Sequence, residues 1–131
     1  MGVGPVEELR AFQHARAFKR EVYALVRASR DADRDLKYRS QLFESAASAE
    51  MNIVEGWRRF GAAEIAQFLR YSRASLEEAE HRLRDGVERG YFTIEACGPA
   101  FDHANKCGGA TMGLWKSLQP YIKKARRPGR P

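Results

Sequence analysis

The chain has 131 residues, enough for one domain that buries an apolar core without disulfides or a metal as staples. Its 44% hydrophobic and 31% charged residues exclude a disordered chain. The formal charge of +6 is local, because Lys123, Lys124, Arg126, Arg127 and Arg130 lie in the last nine residues with no acid among them and leave the rest at only +1.

No stretch approaches the roughly 20 apolar residues of a membrane span, and the start, MGVGPVEELR, lacks a basic region followed by an apolar run. A cytoplasmic chain with no membrane partner is expected. Cys97 and Cys107 are ten residues apart, about 15 Å along one straight helix, too far for a disulfide within it. They are expected to be free thiols.

In chain order, Val6, Leu9, Phe12, Ala15, Phe18, Val22 and Leu25 fall at steps of three and four and predict a first helix over 6–28. It should fade in ASRDADRD, where Ser and Asp favour turns and caps. A second stripe runs Leu42, Ala46, Ala49, Ile53, Trp57 and Phe60, with Gly61 as the stop. Its run of small residues, Ser45 to Ala49, would let a neighbouring backbone approach.

A third helix opens near Ala62 and carries Ile65, Phe68, Leu69, Ser72, Leu76, Ala79, Leu83 and Val87, with Gly90 as a left-handed cap. The short link makes the second and third helices antiparallel neighbours. Thr93 then caps a fourth helix with the stripe Cys97, Phe101, Ala104, Gly108, Thr111, Trp115, Leu118 and Ile122. Regular structure should start or bend at Pro99, and Pro120 should bend or end the helix. Gly108, Gly109 and Gly113 each weaken it by up to about 1 kcal/mol relative to alanine, reasonable only if something packs closely there.

Nothing alternates with period two. The reading is all-α: an antiparallel up-down-up-down four-helix bundle over residues 1–122 and a basic tail over 123–131.

The segments SQLFESAASAEMNIVEGWRR, EIAQFLRYSRASLEEAEHRL and RGYF resemble the four-helix-bundle family of 23S rRNA intervening sequence proteins, itself similar to the accessory variability protein of diversity-generating retroelements. The likeness spans roughly residues 9–122 and rests on Ser40, Gln41, Leu42, Asn52, Ile53, Glu55, Gly56, Glu64, Phe68, Leu69, Ser75, Glu78, Glu80 and Leu83. It implies a homopentamer around a central channel and no catalytic residues. Three positions depart from that pattern: Val54 stands where Ala is usual, Ala74 where Gly is common, and Glu50 where Pro is frequent. Glu50 should leave the second helix straighter, since no proline kink is present.

Asn52, Glu55, Gly56 and Arg59 share one face of the second helix, and Ser72, Ser75 and Glu78 would face them from the third. A structural polar network of Asn52, Glu55, Ser75 and Glu78, with Gly56 allowing close approach, would fix the register of the two helices. A functional pocket is the alternative.

Metal sites fit poorly. A ferritin-like di-iron centre needs two Glu-x-x-His pairs, and only Glu78 with His81 qualifies. His103 and Cys107 lie one turn apart but lack partners for a four-coordinate zinc, so no metal, cofactor or catalytic residue is assigned. Basic residues near aromatics remain: Arg58 and Arg59 with Trp57 and Phe60, Arg70 and Arg73 with Tyr71, and Lys123, Lys124, Arg126 and Arg127 with Tyr121. These are the nucleic-acid-binding candidates, since arginine beside an aromatic suits phosphate contact and base stacking. They equally suit a subunit interface or a solvated face.

The expected function is a non-enzymatic, ring-like homo-oligomeric scaffold, pentameric as the resemblance implies, that binds RNA or DNA without sequence preference or docks a nucleic-acid-processing protein. The alternatives are a structural or protein-interaction ring without nucleic acid and, more remotely, a metal-dependent enzyme.

Overall fold

The computed structural model describes residues 4–125, so Arg126, Arg127 and Arg130 lie outside the described residues. A 3-10 turn at Val6–Glu8 leads into α1 (Arg10–Ala28), α2 (Arg30–Arg34), α3 (Leu36–Trp57), α4 (Ala62–Glu88) and α5 (Gly98–Ala125). No strand occurs among the described residues. Four helices were expected, and a fifth, α2, fills the segment where the first was predicted to fade. Ser29 accepts a hydrogen bond from the Ala32 amide at 3.3 Å and starts α2, and Asp35 accepts one from the Tyr38 amide at 3.2 Å and starts α3. The Ser and Asp residues that favour turns therefore act here as two successive N-caps.

The stripes bury as their spacing dictates. Phe12, Ala15, Phe18, Val22 and Val26 of α1 meet Leu42, Ala46, Ala49 and Ile53 of α3, Leu76, Ala79 and Leu83 of α4, and Ala100, Ala104 and Cys107 of α5 in one cluster. Large side chains such as Phe18 and Leu42, wholly buried, contribute about 1.5–3 kcal/mol each by removal from water. Successive contacts fix the register between helices. Lys19 meets Glu50 and Tyr23 meets Phe43 across α1 and α3. Gln41 meets Arg82 and Ser48 meets Ser75 across α3 and α4. Ala11 meets Cys107 and His14 meets His103 across α1 and α5.

A smaller apolar cluster of Ile65, Ala66, Leu69 and Leu118, with Leu114, Trp115 and Ile122 packed against it, joins the start of α4 to the last turns of α5. The opposite end of α4 is tied down by Asp35, whose Oδ2 accepts hydrogen bonds from the Tyr91 hydroxyl at 2.6 Å and from Arg89 at 3.1 Å. The Tyr91 hydroxyl, then the Tyr38 amide and Arg89, hold the Asp35 carboxyl below its ordinary value.

Several expectations are corrected. Phe60 does not continue the core stripe: α3 stops at Trp57, the chain turns, and Phe60 is 90% exposed. Gly61 is not where the second helix stops but the extended residue before α4, whereas Gly90, at φ 82°, does take the left-handed conformation that glycine adopts without strain. Thr93 caps only a turn, accepting from the Ala96 amide at 3.1 Å, and α5 begins afterwards with Pro99 in its first turn, where a missing amide hydrogen costs nothing. Pro120 does not end α5, which runs to Ala125 and so carries Lys123 and Lys124 on the helix rather than in a tail beyond 122. Pro120 is exposed, so water can take the carbonyl bond it forgoes.

Candidate nucleic-acid interface

Four of the basic candidates sit where α3 turns into α4 and along the adjoining face of α4. Arg58 and Arg59 flank a single carboxylate, Glu55, at 3.7 and 3.8 Å. The Arg59 guanidinium also covers the Phe68 ring at 4.8 Å from its centroid. Two cations share one anion here, and all three are partly open to solvent, so these pairs add little stability and the corner keeps a positive excess.

Arg73 is partnered by Glu77 at 3.4 Å. Arg70 has no ion pair among the described residues and instead lies over the Trp115 indole, 5.9 Å from the ring centroid. The two residues sit between two adjacent concavities of about 250 and 140 Å³, one walled by Arg73 and Met112, the other by Gln67, Gln119 and Ile122. The result is a shallow furrow between α4 and α5 with an aromatic face, two guanidiniums and two amides. Those groups suit a stacked base flanked by phosphates.

Ile122 packs on the same small cluster as Ala62, the first residue of α4 after the corner. Lys123 and Lys124, both exposed, therefore leave α5 at the same end of the molecule as Arg58 and Arg59. Sequence reasoning found these basic residues but not Met112, Gln119 or the pairing of Trp115 with Arg70. Trp115 was assigned to the core stripe, and only its half-buried position shows that its other face is open.

The predicted polar network divides. Asn52 donates to the Ser48 carbonyl at 2.9 Å and Ser48 Oγ at 3.0 Å, and Ser48 Oγ bonds Ser75 Oγ at 2.8 Å, which links α3 to α4. Ser72 adds a hydrogen bond of 2.6 Å to the Ala49 carbonyl. Glu78 belongs to a separate chain, accepting from Arg82 at 2.8 Å while Arg82 also donates to Gln41 at 2.9 Å. Glu55 departs from the expectation: its carboxylate turns to Arg58 and Arg59 at the end of its own helix. Gly56 does sit at a close approach, for a Cβ there would come within 2.6 Å of Phe68 Cβ.

Glu50 holds the contact that sequence reasoning missed most completely. It is buried on α3 and its carboxylate lies 2.7 Å from the Lys19 ammonium of α1. Cys107 points inward, its thiol 3.4 Å from the Ala11 carbonyl, while His103 turns to His14, so the two do not converge as zinc ligands. Burial pushes the Cys107 thiol up to about 11. His81 is exposed and Glu78 is engaged by Arg82, and no group of three or more metal-ligating side chains occurs among the described residues.

A family model described as 23S rRNA-intervening sequence protein matches residues 7–111. The chain belongs to that family. No curated protein and no solved structure matches it significantly. Within this member of the 23S rRNA-intervening sequence proteins, the matched stretch holds Arg58, Arg59, Arg70 and Arg73 and stops before Trp115, Lys123 and Lys124. The furrow is thus built from a family segment on α4 and from the later turns of α5. No helix among the described residues is long and apolar enough to cross a membrane.

Proposed function

We propose that the chain is a non-enzymatic cytoplasmic scaffold that assembles with copies of itself and binds RNA or DNA, without sequence preference, through its basic end. The observation that carries this reading is the packing of Ile122 on the same small cluster that Ala62 covers, which puts Lys123 and Lys124 at the end of the molecule that holds the Arg58 and Arg59 corner and the Arg70–Trp115 furrow. Phosphate attraction to such a cluster is independent of sequence, and stacking on Trp115 accepts any base.

The four long helices run up, down, up and down. Support comes from the order of contacts: as residue numbers rise from Lys19 to Tyr23 in α1 they fall from Glu50 to Phe43 in α3, and the α3–α4 and α1–α5 pairs reverse in the same way. Assembly is supported by Gly108 and Gly113, whose Cβ positions meet nothing within 4 Å in the protomer although glycine weakens a helix. A second copy packed there accounts for them. The small-residue half of α3 needs no such partner, since Ser45, Ala46 and Ala49 are already buried within the protomer. A closed ring, pentameric as the family resemblance implies, repeats the basic end on every subunit and converts weak contacts into avidity.

The test is fluorescence anisotropy of a labelled single-stranded RNA and a DNA duplex over a salt series, with the whole chain and with a chain lacking residues 123–131. Binding should weaken linearly in log salt, with a shallower slope for the shortened chain. Equal affinity and slope would remove the tail from the account, and no binding at low salt would leave only a protein-binding ring. Light scattering at a multiple of 14.9 kDa is expected, and a particle of 14.9 kDa would remove the assembly.

A further inference from the structure

On the outer seam between α1 and α5, away from the furrow, Arg10 and His14 stand one turn apart on α1 and face Lys106, Gly109 and Ala110 of α5 around a concavity of about 510 Å³. Gly109 leaves the floor open, with nothing within 4 Å of where its Cβ would be. Behind His14 lies His103, their Nδ1 atoms 3.1 Å apart. The ring centroids are 5.4 Å apart, longer than the nitrogen separation by about one ring radius at each end. The two nitrogens therefore point at each other along the line of centres, the arrangement of one Nδ1–H donating to the other Nδ1. Two ligands of one metal ion would converge at an angle and bring the centroids closer.

The charge around the concavity is lopsided. Lys106 lies 3.0 Å from Asp102, an exposed pair, whereas Arg10 has no ion pair or hydrogen bond among the described residues. Among the described residues Asp102 is the acid whose charge acts on His14, against Arg10, Lys106 and His103. An open basin with a guanidinium that makes no ion pair among the described residues, an ammonium on the opposite wall and an imidazole between them has the charge and donors to take an anion.

We propose that this basin is a phosphate-binding site, in which the Arg10 guanidinium and the Lys106 ammonium grip the phosphate group from the two helices and His14, held by His103, lies between them. The planar fork of Arg10 can bind two phosphate oxygens at once, and Lys106 acts as a point charge. The basin disfavours a proton on His14, through its burial first and then through His103, Lys106 and Arg10, against the opposite pull of Asp102. A bound dianion reverses that balance, so anion binding and protonation of His14 favour each other by linkage. The phosphate comes either from a free small molecule or from a nucleic-acid backbone, and the chemistry of the grip is the same.

The experiment follows the imidazole resonances of His14 by NMR through a pH titration in sodium sulfate and in sodium chloride at matched ionic strength, with the whole chain. Sulfate keeps its double charge across the range, so any change belongs to the protein. Sulfate should raise the titration midpoint of His14 by about half a pH unit or more, and Arg10→Ala, at an exposed position, should abolish the rise. A midpoint that is the same in both salts, or a rise that survives in the Arg10→Ala chain, would overturn the site. Inorganic phosphate and the labelled RNA, each titrated against both chains, then separate the sources. Weakening of phosphate alone by severalfold assigns the site to a free phosphate, weakening of both assigns it to the backbone, and weakening of neither overturns it.

Discussion

A Cβ added at Gly56 would lie 2.6 Å from the Cβ of Phe68, so α3 and α4 touch there with no room for even a methyl group. Because the obstructing atom is bonded to the α4 backbone and not the end of a flexible chain, the helices themselves must part. Gly56→Ala is expected to destabilise the protein by about 1–3 kcal/mol despite the better helix propensity of alanine. Thermal unfolding followed by circular dichroism checks this. A rise in Tm would mean that the two helices separate at little cost.

The Lys19–Glu50 contact is shielded from water on both sides, with side-chain exposures of 22% and 10%. Removing one partner strands the other. Glu50→Ala should therefore cost about 1–3 kcal/mol, and Lys19→Met together with Glu50→Leu should recover most of that loss, because an apolar pair needs no compensation for desolvation. Denaturant unfolding of Lys19→Met, Glu50→Leu and the variant carrying both measures the coupling. Independent, additive losses would show that the ion pair contributes nothing as a pair.

Acid should loosen the α1–α5 seam before it reaches the carboxylates. His14 titrates below its ordinary value of 6.5 in the folded chain, chiefly through burial, so the unfolded chain takes up the proton first as pH falls. The contribution to stability is complete above pH 6.5 and is lost as pH drops below it. Asp35 and Asp102, whose folded carboxyls are held below 3.8, lose theirs only in stronger acid. Tm measured from pH 7.5 to pH 5, about the range in which His14 changes charge, should fall more for the native chain than for His14→Gln. Parallel curves would discount the histidine.

If the furrow stacks bases, Trp115 and Arg70 act together. Trp115→Phe keeps an aromatic ring against Leu118 and Ile65 and should weaken single-stranded RNA binding only a few-fold, whereas Arg70→Ala with Arg73→Ala should weaken it about tenfold or more, in line with 1–3 kcal/mol per stacked base and the loss of phosphate contacts. Anisotropy titrations at one fixed salt concentration compare them. Unchanged affinity in the double arginine variant would move the binding surface away from α4.

The open glycine face of α5 offers a test of assembly. Leucine at Gly113 meets no atom of its own protomer within 4 Å of the new Cβ, so helicity should be retained or rise. The same leucine would obstruct a second copy packed on that face. Gly113→Leu is expected to lower the solution mass with circular dichroism preserved, and an unchanged mass would place the subunit contact elsewhere.

The amino-acid sequence carried the helices because burial on a helix has a period, and Phe12, Ala15, Phe18 and Val22 display it without ambiguity. It overran at Phe60 because the period continues on paper after the backbone has turned. Lys19 with Glu50, His14 with His103 and Arg70 with Trp115 were not legible, since each pair joins residues on two different helices. A stripe says which side of a helix faces inward but not which residue across the gap lies level with it. The basic clusters were visible as composition, while their meeting at one end depends on Ile122 packing on the same small cluster as Ala62.

Both sulfurs, Cys97 and Cys107, are completely enclosed. The native chain should accordingly ignore a maleimide, and the slow uptake it does show would count how often the helices part far enough to admit a reagent. A cysteine introduced for Lys123 would then be the single reactive handle, a place for a dye at the basic end with a silent background.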